Sequence, residues 1–330
     1  MKDKNKFVNF DEDQIKELEE REKQLGVNQD VNEKPSEEPE EEQEETKPSE
    51  KKLFVEEPKD NNVGYIELNK EIIPSAVMFY PENSTFRIRG GQTTEIRTFS
   101  SYAQKDAYTI NQSINGILNP TVKYSVGPKQ YSTNYMLEMD KIFFLLAVRD
   151  LTFYHIPNKI KNPSSCPKCG QACGIEIFTS NTVFFEEDQN LSNFYNASKR
   201  CYSFNFNDGE TLEIKPPMIL TTSVIENYIS TKRRKGNKVE VDILENIKYL
   251  NLDWENMTED RLDNQILETY KWSTEKYSLF LKVIEDFKKQ MVNKTIDNCK
   301  SCGAEVTVPF QFPSGLLSIF LVSDPYRFAK

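Results

Sequence analysis

The chain has 330 residues, 37% of them hydrophobic, with 52 acidic and 42 basic side chains and a net charge of −10. That length supplies ample core material for one large or two ordinary domains, and the acidic balance argues against the basic body of a nucleic-acid binder. The charged start, and the lack of any apolar run long enough to cross a bilayer, lead us to expect neither a signal peptide nor a membrane span.

The acidity is local. Residues 1–60 hold 21 acidic and 11 basic side chains, so the remainder is neutral. Within this arm, residues 10–25 can form a short helix capped by Asp11, with Ile15, Leu18 and Leu25 near one face. Residues 31–59 are dominated by Glu, Pro, Lys and Ser, a composition too poor in apolar surface to fold. The expected organisation is therefore a disordered acidic arm over 1–62 and one zinc-stabilised globular domain over 63–330. The arm reads as a solubilising tail, or as a tether carrying a peptide hook at residues 7–25.

The globular part opens with β signals. Phe86 to Ile88 and Thr94 to Thr98 alternate in the manner of strands around Gly90-Gly91. Residues 101–118 read as a helix ending before Pro120, and residues 134–150 as a second helix so apolar that most of it must be buried. Its charges, Asp140, Lys141, Arg149 and Asp150, are expected to be paired or surface-facing. Strands are expected over 152–156, 175–178 and 183–185. Residues 201–206 and 211–214 flank Asn207-Asp208-Gly209, a hairpin signal. Helices follow over 223–230, 241–250, 259–272 with Thr258 as cap, and 274–292. Residues 303–312 return to strand alternation, and 316–322 form an apolar run. The expected fold class is α+β, with a β-rich N-terminal part and a pair of cysteine knuckles clasping a mostly helical insert over 175–298.

The strongest chemical signal is Cys166-Pro-Lys-Cys169-Gly170 with its echo Cys299-Lys-Ser-Cys302-Gly303. In such a turn backbone N–H groups point at the first sulfur, and the glycine accepts the left-handed conformation that closes it. Two halves in a chain of six cysteines point to one zinc held by Cys166, Cys169, Cys299 and Cys302. A compact zinc ribbon separates its knuckles by about 15–20 residues, whereas here the whole stretch 171–298 intervenes. The zinc is expected to be structural, one per chain, because a catalytic zinc keeps an open position and usually takes His or carboxylate ligands. The chain's single histidine, His155, lies outside both knuckles. A redox dithiol at Cys166-Pro-Lys-Cys169 is the competing reading, though no strand-then-helix pattern surrounds it. Cys173 could substitute as a ligand, and Cys201 is expected to fill an apolar site.

No GxxxxGK[ST] phosphate loop is present, Glu186-Glu187-Asp188 reads as a solvated loop, and Lys232-Arg233-Arg234-Lys235-Gly236 as a basic loop between helices. No catalytic or cofactor-binding residues are assigned.

Several segments together carry a family resemblance. They are Pro74-Ser75, Tyr80-Pro81, Thr94 to Arg97, Leu137 with Asp140, Lys141, Leu145, Leu146 and Arg149, and Cys166 to Gly170. This order resembles the baseplate hub and hub-assembly proteins of T-even-type contractile-tailed bacteriophages. The likeness spans roughly residues 73–174, with a weaker echo in Ile214-Lys-Pro-Pro217 and the second knuckle. It implies a non-enzymatic structural or assembly protein that binds other hub or tail proteins, with no membrane or small-molecule substrate. Its place would be the virion baseplate, or the host cytoplasm during assembly. The alternative is a zinc-ribbon nucleic-acid-associated factor of phage transcription or replication.

Overall fold

The structure is a computed structural model, and it describes residues 53–55, 64–75, 78–101, 107–154, 160–206, 209–312 and 315–321. The predicted helix and hook over 7–25, the acidic tract and His155 lie outside the described residues.

The fold mixes helices with small antiparallel sheets. The first sheet runs in the order β1 (Ile66–Glu67), β2 (Ser84–Ile88), β3 (Val122–Val126) and β4 (Lys129–Tyr131). Period-two alternation buries Ser84, Phe86 and Ile88 on one face of β2. Phe86 stacks on Tyr124 of the neighbouring strand with ring centroids 5.0 Å apart. Phe54 and Leu68 form an isolated bridge at the β1 end, so residues 53–55, assigned to the arm from sequence, run alongside Glu67 and Asn69.

Helices α1 (Thr93–Ser101), α2 (Ala107–Thr121) and α3 (Lys141–Thr152) pack against this sheet's side of the core. The central element is α3, with Phe143, Phe144, Leu145, Leu146, Ala147 and Val148 all buried. An all-round apolar helix can persist only where neighbours cover every face, and each Phe, Leu or Val side chain removed from water contributes roughly 1.5–3 kcal/mol. Gly91 N–H donates to Thr152 Oγ1 over 2.8 Å, tying the α1 entrance to the end of α3.

The middle of the chain forms one hairpin and a three-stranded sheet. Strands β5 (Lys161–Ser165) and β6 (Ala172–Glu176) pair around the first knuckle. Next come β7 (Thr182–Val183), the short α4 (Gln189–Ser192) and the sheet of β8 (Tyr195–Asn196), β9 (Cys201–Asn205) and β10 (Thr211–Ile214). The predicted 201–214 hairpin is present, with Leu212 opposite Phe204. Four helices follow: α5 (Ile219–Arg234), α6 (Val241–Ile247), α7 (Glu259–Tyr270) and α8 (Thr274–Gln290). Thr258 caps α7, accepting the Arg261 N–H, as expected from sequence. In α8 the spacing of Phe280, Val283, Ile284 and Phe287 buries one stripe. Strands β11 (Lys294–Asn298) and β12 (Glu305–Pro309) pair around the second knuckle, and β7 completes their sheet. The interknuckle helices share one main core with the N-terminal sheet, while a small second cluster lies beneath the cysteines.

Several expectations are corrected. Residues 94–98 form α1 rather than a strand, because Glu95 accepts the Gln92 N–H over 2.8 Å and pairs with Arg89, fixing a helical first turn that lets Phe99 reach the core. The helix predicted over 134–150 begins only at Lys141. Before it, Leu137 bridges Met218 and donates its N–H to the Tyr80 hydroxyl, so its backbone is committed elsewhere. Pro120 lies inside the last turn of α2 rather than beyond it. Thr152 ends α3, and the strand entering the first knuckle is β5. The basic run is the helical C-terminus of α5 rather than a loop, with Lys232 paired to Asp263 and Lys235 to Glu259. Cations are favoured there by the helix dipole.

Candidate metal centre

The two knuckles fold by the same hydrogen bonds. In the first, Cys166 N–H donates to Gln171 O over 2.9 Å and Gly170 N–H to Cys166 O over 2.9 Å. In the second, Cys299 N–H donates to Ala304 O and Gly303 N–H to Cys299 O, both over 2.8 Å. Gly170 and Gly303 have φ of +72° and +69°. A Cβ at either would meet nothing within 4 Å, so backbone conformation alone demands the glycine.

Each knuckle is the tip of a hairpin, β5–β6 or β11–β12, and the two tips face each other. Asn162 Nδ2 of β5 donates to Pro309 O of β12 over 2.7 Å, which helps hold the hairpins together. Beneath the tips Ile175, Val306 and Val308 pack with Cys166 and Cys299 in the second cluster. The outcome is that the sulfurs of Cys166, Cys169, Cys299 and Cys302 all lie within 4.8 Å of one another, close enough to hold a metal ion. Cys166 and Cys302 are 3.6 Å apart and Cys169 and Cys299 are 3.7 Å apart. All four predicted ligands are thus brought together across 130 or more residues of sequence.

The backbone favours the thiolate form at two of the sulfurs. N–H groups of Cys169 and Lys168 lower the Cys166 pKa, and those of Ser301 and Cys302 pull Cys299 down to about 6. Thiolate is the form that binds metal. At Cys302 the Ala304 N–H acts to lower the pKa, but the crowding thiols of Cys169, Cys166 and Cys299 drive it up to about 12. Four sulfurs this close cannot all be anionic without a cation among them.

Cys173, on β6, has its sulfur 3.6 Å from that of Cys299 and 3.3 Å from Gln171 O. It stands beside the four rather than among them, and burial raises its pKa. Cys201 is buried in the β8–β10 sheet, and its thiol is raised by desolvation.

A second polar constellation was not foreseen from sequence. Asp140 and Arg149 were expected to be paired or surface-facing; both are buried, and Arg149 is paired as expected, with Asp150. Ser75 Oγ donates to Asp140 Oδ2, and Tyr80, whose hydroxyl accepts the Leu137 N–H over 2.8 Å, adjoins the same carboxyl. Burial raises Asp140 to about 7 despite these bonds. Arg149 pairs with Asp150 at 3.0 Å and donates to Ile319 O at 3.1 Å, while Asp150 also accepts from the Thr179 N–H and hydroxyl. Only the co-occurrence of Ser75, Tyr80 and Asp140 in one sequence pattern hinted that they meet.

No protein-family model matches the chain, and no curated protein or solved structure matches it. No helix among the described residues is long and apolar enough to cross a membrane.

Proposed function

We propose that the chain is a zinc-stabilised, non-enzymatic structural or assembly protein of a contractile phage tail baseplate hub, working through contacts with other hub or tail proteins. The zinc part of this reading rests on sulfur geometry. A tetrahedral zinc with bonds of about 2.3 Å places its thiolates about 3.8 Å apart, against observed separations of 3.6 and 3.7 Å across the knuckles. Four sulfurs fill a tetrahedral shell with no open position, which suits a structural ion. Cys166, Cys169, Cys299 and Cys302 would hold it, clasping the helical stretch between the knuckles.

The assembly part is carried by one observation: the residues behind the sequence resemblance are spent inside the fold. Ser75, Tyr80 and Asp140 contact each other, and Arg149 is consumed by Asp150 and a carbonyl. Residues used this way maintain a shape, which is what an adaptor needs. Two cations of the basic run are already neutralised by acids of α7, so that run gives the nucleic-acid alternative little support.

The test is mass spectrometry of purified contractile-tailed particles and of baseplate assembly intermediates. The reading expects this chain, with hub proteins, in one or both. Capture of nucleic acid without hub proteins, lost as salt rises, would replace it by the alternative.

A further inference from the structure

A cleft of about 230 Å³ opens where the first sheet meets the β8–β10 sheet. Its walls include the rings of Tyr80, Tyr124, Tyr131 and Tyr135, together with Arg200 and Lys215. The rings form a chain, with Tyr124 and Tyr131 centroids 5.7 Å apart and Tyr131 and Tyr135 centroids 5.4 Å apart. Volume and lining suit a small ligand offering one planar face.

The two cations are what single the cleft out. Neither Arg200 nor Lys215 makes an ion pair or side-chain hydrogen bond among the described residues. The nearby acid Glu213 is occupied, by Lys199 and by Asn251 Nδ2 at 2.8 Å. Burial also holds the Lys215 ammonium below its usual pKa, a cost that an anion would offset. The hydroxyls of Tyr131 and Tyr135 likewise donate to nothing among the described residues.

The turn that carries Arg200 imposes an uncommon backbone conformation on it. Its φ is +51°, the one left-handed value at a non-glycine among the described residues. It closes the turn between β8 and β9, a position that favours glycine. Asn196 Oδ1 fixes that turn by accepting the Ser198 and Lys199 N–H groups at 3.1 and 3.2 Å. Backbone strain tends to cluster at ligand-binding positions, and here it falls at a cation on the cleft wall.

We propose that this cleft binds a phosphomonoester of a molecule that also carries one planar aromatic group. A phosphate monoester is close to dianionic at neutral pH and offers three acceptor oxygens, which answers two cations and two free phenol donors. The ring would lie against the tyrosines. The inference is independent of the baseplate reading and of the metal.

The test is calorimetric titration of the full-length protein with adenosine 5′-monophosphate and with O-phosphotyrosine amide, using adenosine, tyrosine amide and inorganic phosphate as controls. At least one ring phosphate should bind tenfold or more tightly than both inorganic phosphate and its own dephosphorylated form. Preference for the first probe identifies a nucleotide and preference for the second a phenyl phosphate, and each supports the site. Arg200→Gly should weaken binding at least tenfold while holding or raising the Tm, since glycine accepts the left-handed turn. Lys215→Met should weaken it similarly. The proposal is overturned if neither ring phosphate outbinds inorganic phosphate, or if Arg200→Gly leaves binding unchanged.

Discussion

Removing the metal should lower the thermal transition by roughly 10 °C while leaving the protein folded at room temperature. Cys166 and Cys302 are 136 residues apart in sequence. Cross-linking across a loop of that length removes about 5 kcal/mol of conformational freedom from the unfolded chain. For a body of this size each kcal/mol moves the midpoint by about 2 °C. Five kcal/mol is also no more than the usual net stability of a domain, about 5–15 kcal/mol. The loss should therefore not unfold the protein, because Trp254, Phe280 and Phe287 belong to the main core and not to the cluster under the sulfurs. Calorimetry or circular dichroism with and without a strong chelator measures the shift. An unmoved transition would mean that no metal ties the hairpins. Unfolding at 25 °C would mean that the main core cannot stand without the knuckles, and would refute the division into two clusters.

Cys173→Ser should keep the full metal content while Cys169→Ser loses most of it, because Cys173 stands beside the four clustered sulfurs; metal analysis of both variants decides this. Asp140 supplies a pH test. Its carboxyl rises from 3.8 to about 7 on folding, so between these values the folded state keeps a proton that the unfolded state has lost. Stability is then full below about pH 4 and declines as pH rises to about 7, by a ceiling on the order of 4 kcal/mol. Asp140→Asn should flatten that decline in urea titrations at pH 5 and pH 8, and an unchanged slope would contradict it. Arg149→Ala should cost about 3–5 kcal/mol by leaving Asp150 buried without its partner, and Thr258→Ala about 1 kcal/mol by uncapping α7, both read from denaturant midpoints.

The sequence signals that succeeded were those with a local physical cause. Cys-x-x-Cys-Gly carries its own turn, since the glycine φ and the N–H groups aimed at sulfur are set within five residues, and both knuckles formed as expected. Asn207-Asp208-Gly209 marked the 201–214 hairpin, and Thr258 marked a helix start, for similar reasons. The failures came where distant groups decided the outcome. Thr94 to Thr98 alternates like a strand, but Arg89 and Gln92 engage Glu95 and the segment coils. Residues 134–140 have helical composition, yet Tyr80 and Met218 claim the backbone of Leu137. The tyrosine cleft was illegible because its walls come from stretches far apart in the sequence, none of which carries a signal of its own.

The most direct test of the four-thiolate site is X-ray absorption at the zinc edge on protein purified without added metal, paired with elemental analysis. The account expects about one zinc per chain with four sulfur neighbours at about 2.3 Å and no oxygen or nitrogen in the shell. Protein that purifies free of zinc in the absence of any chelator, or zinc with a light-atom ligand in place of one sulfur, would contradict it.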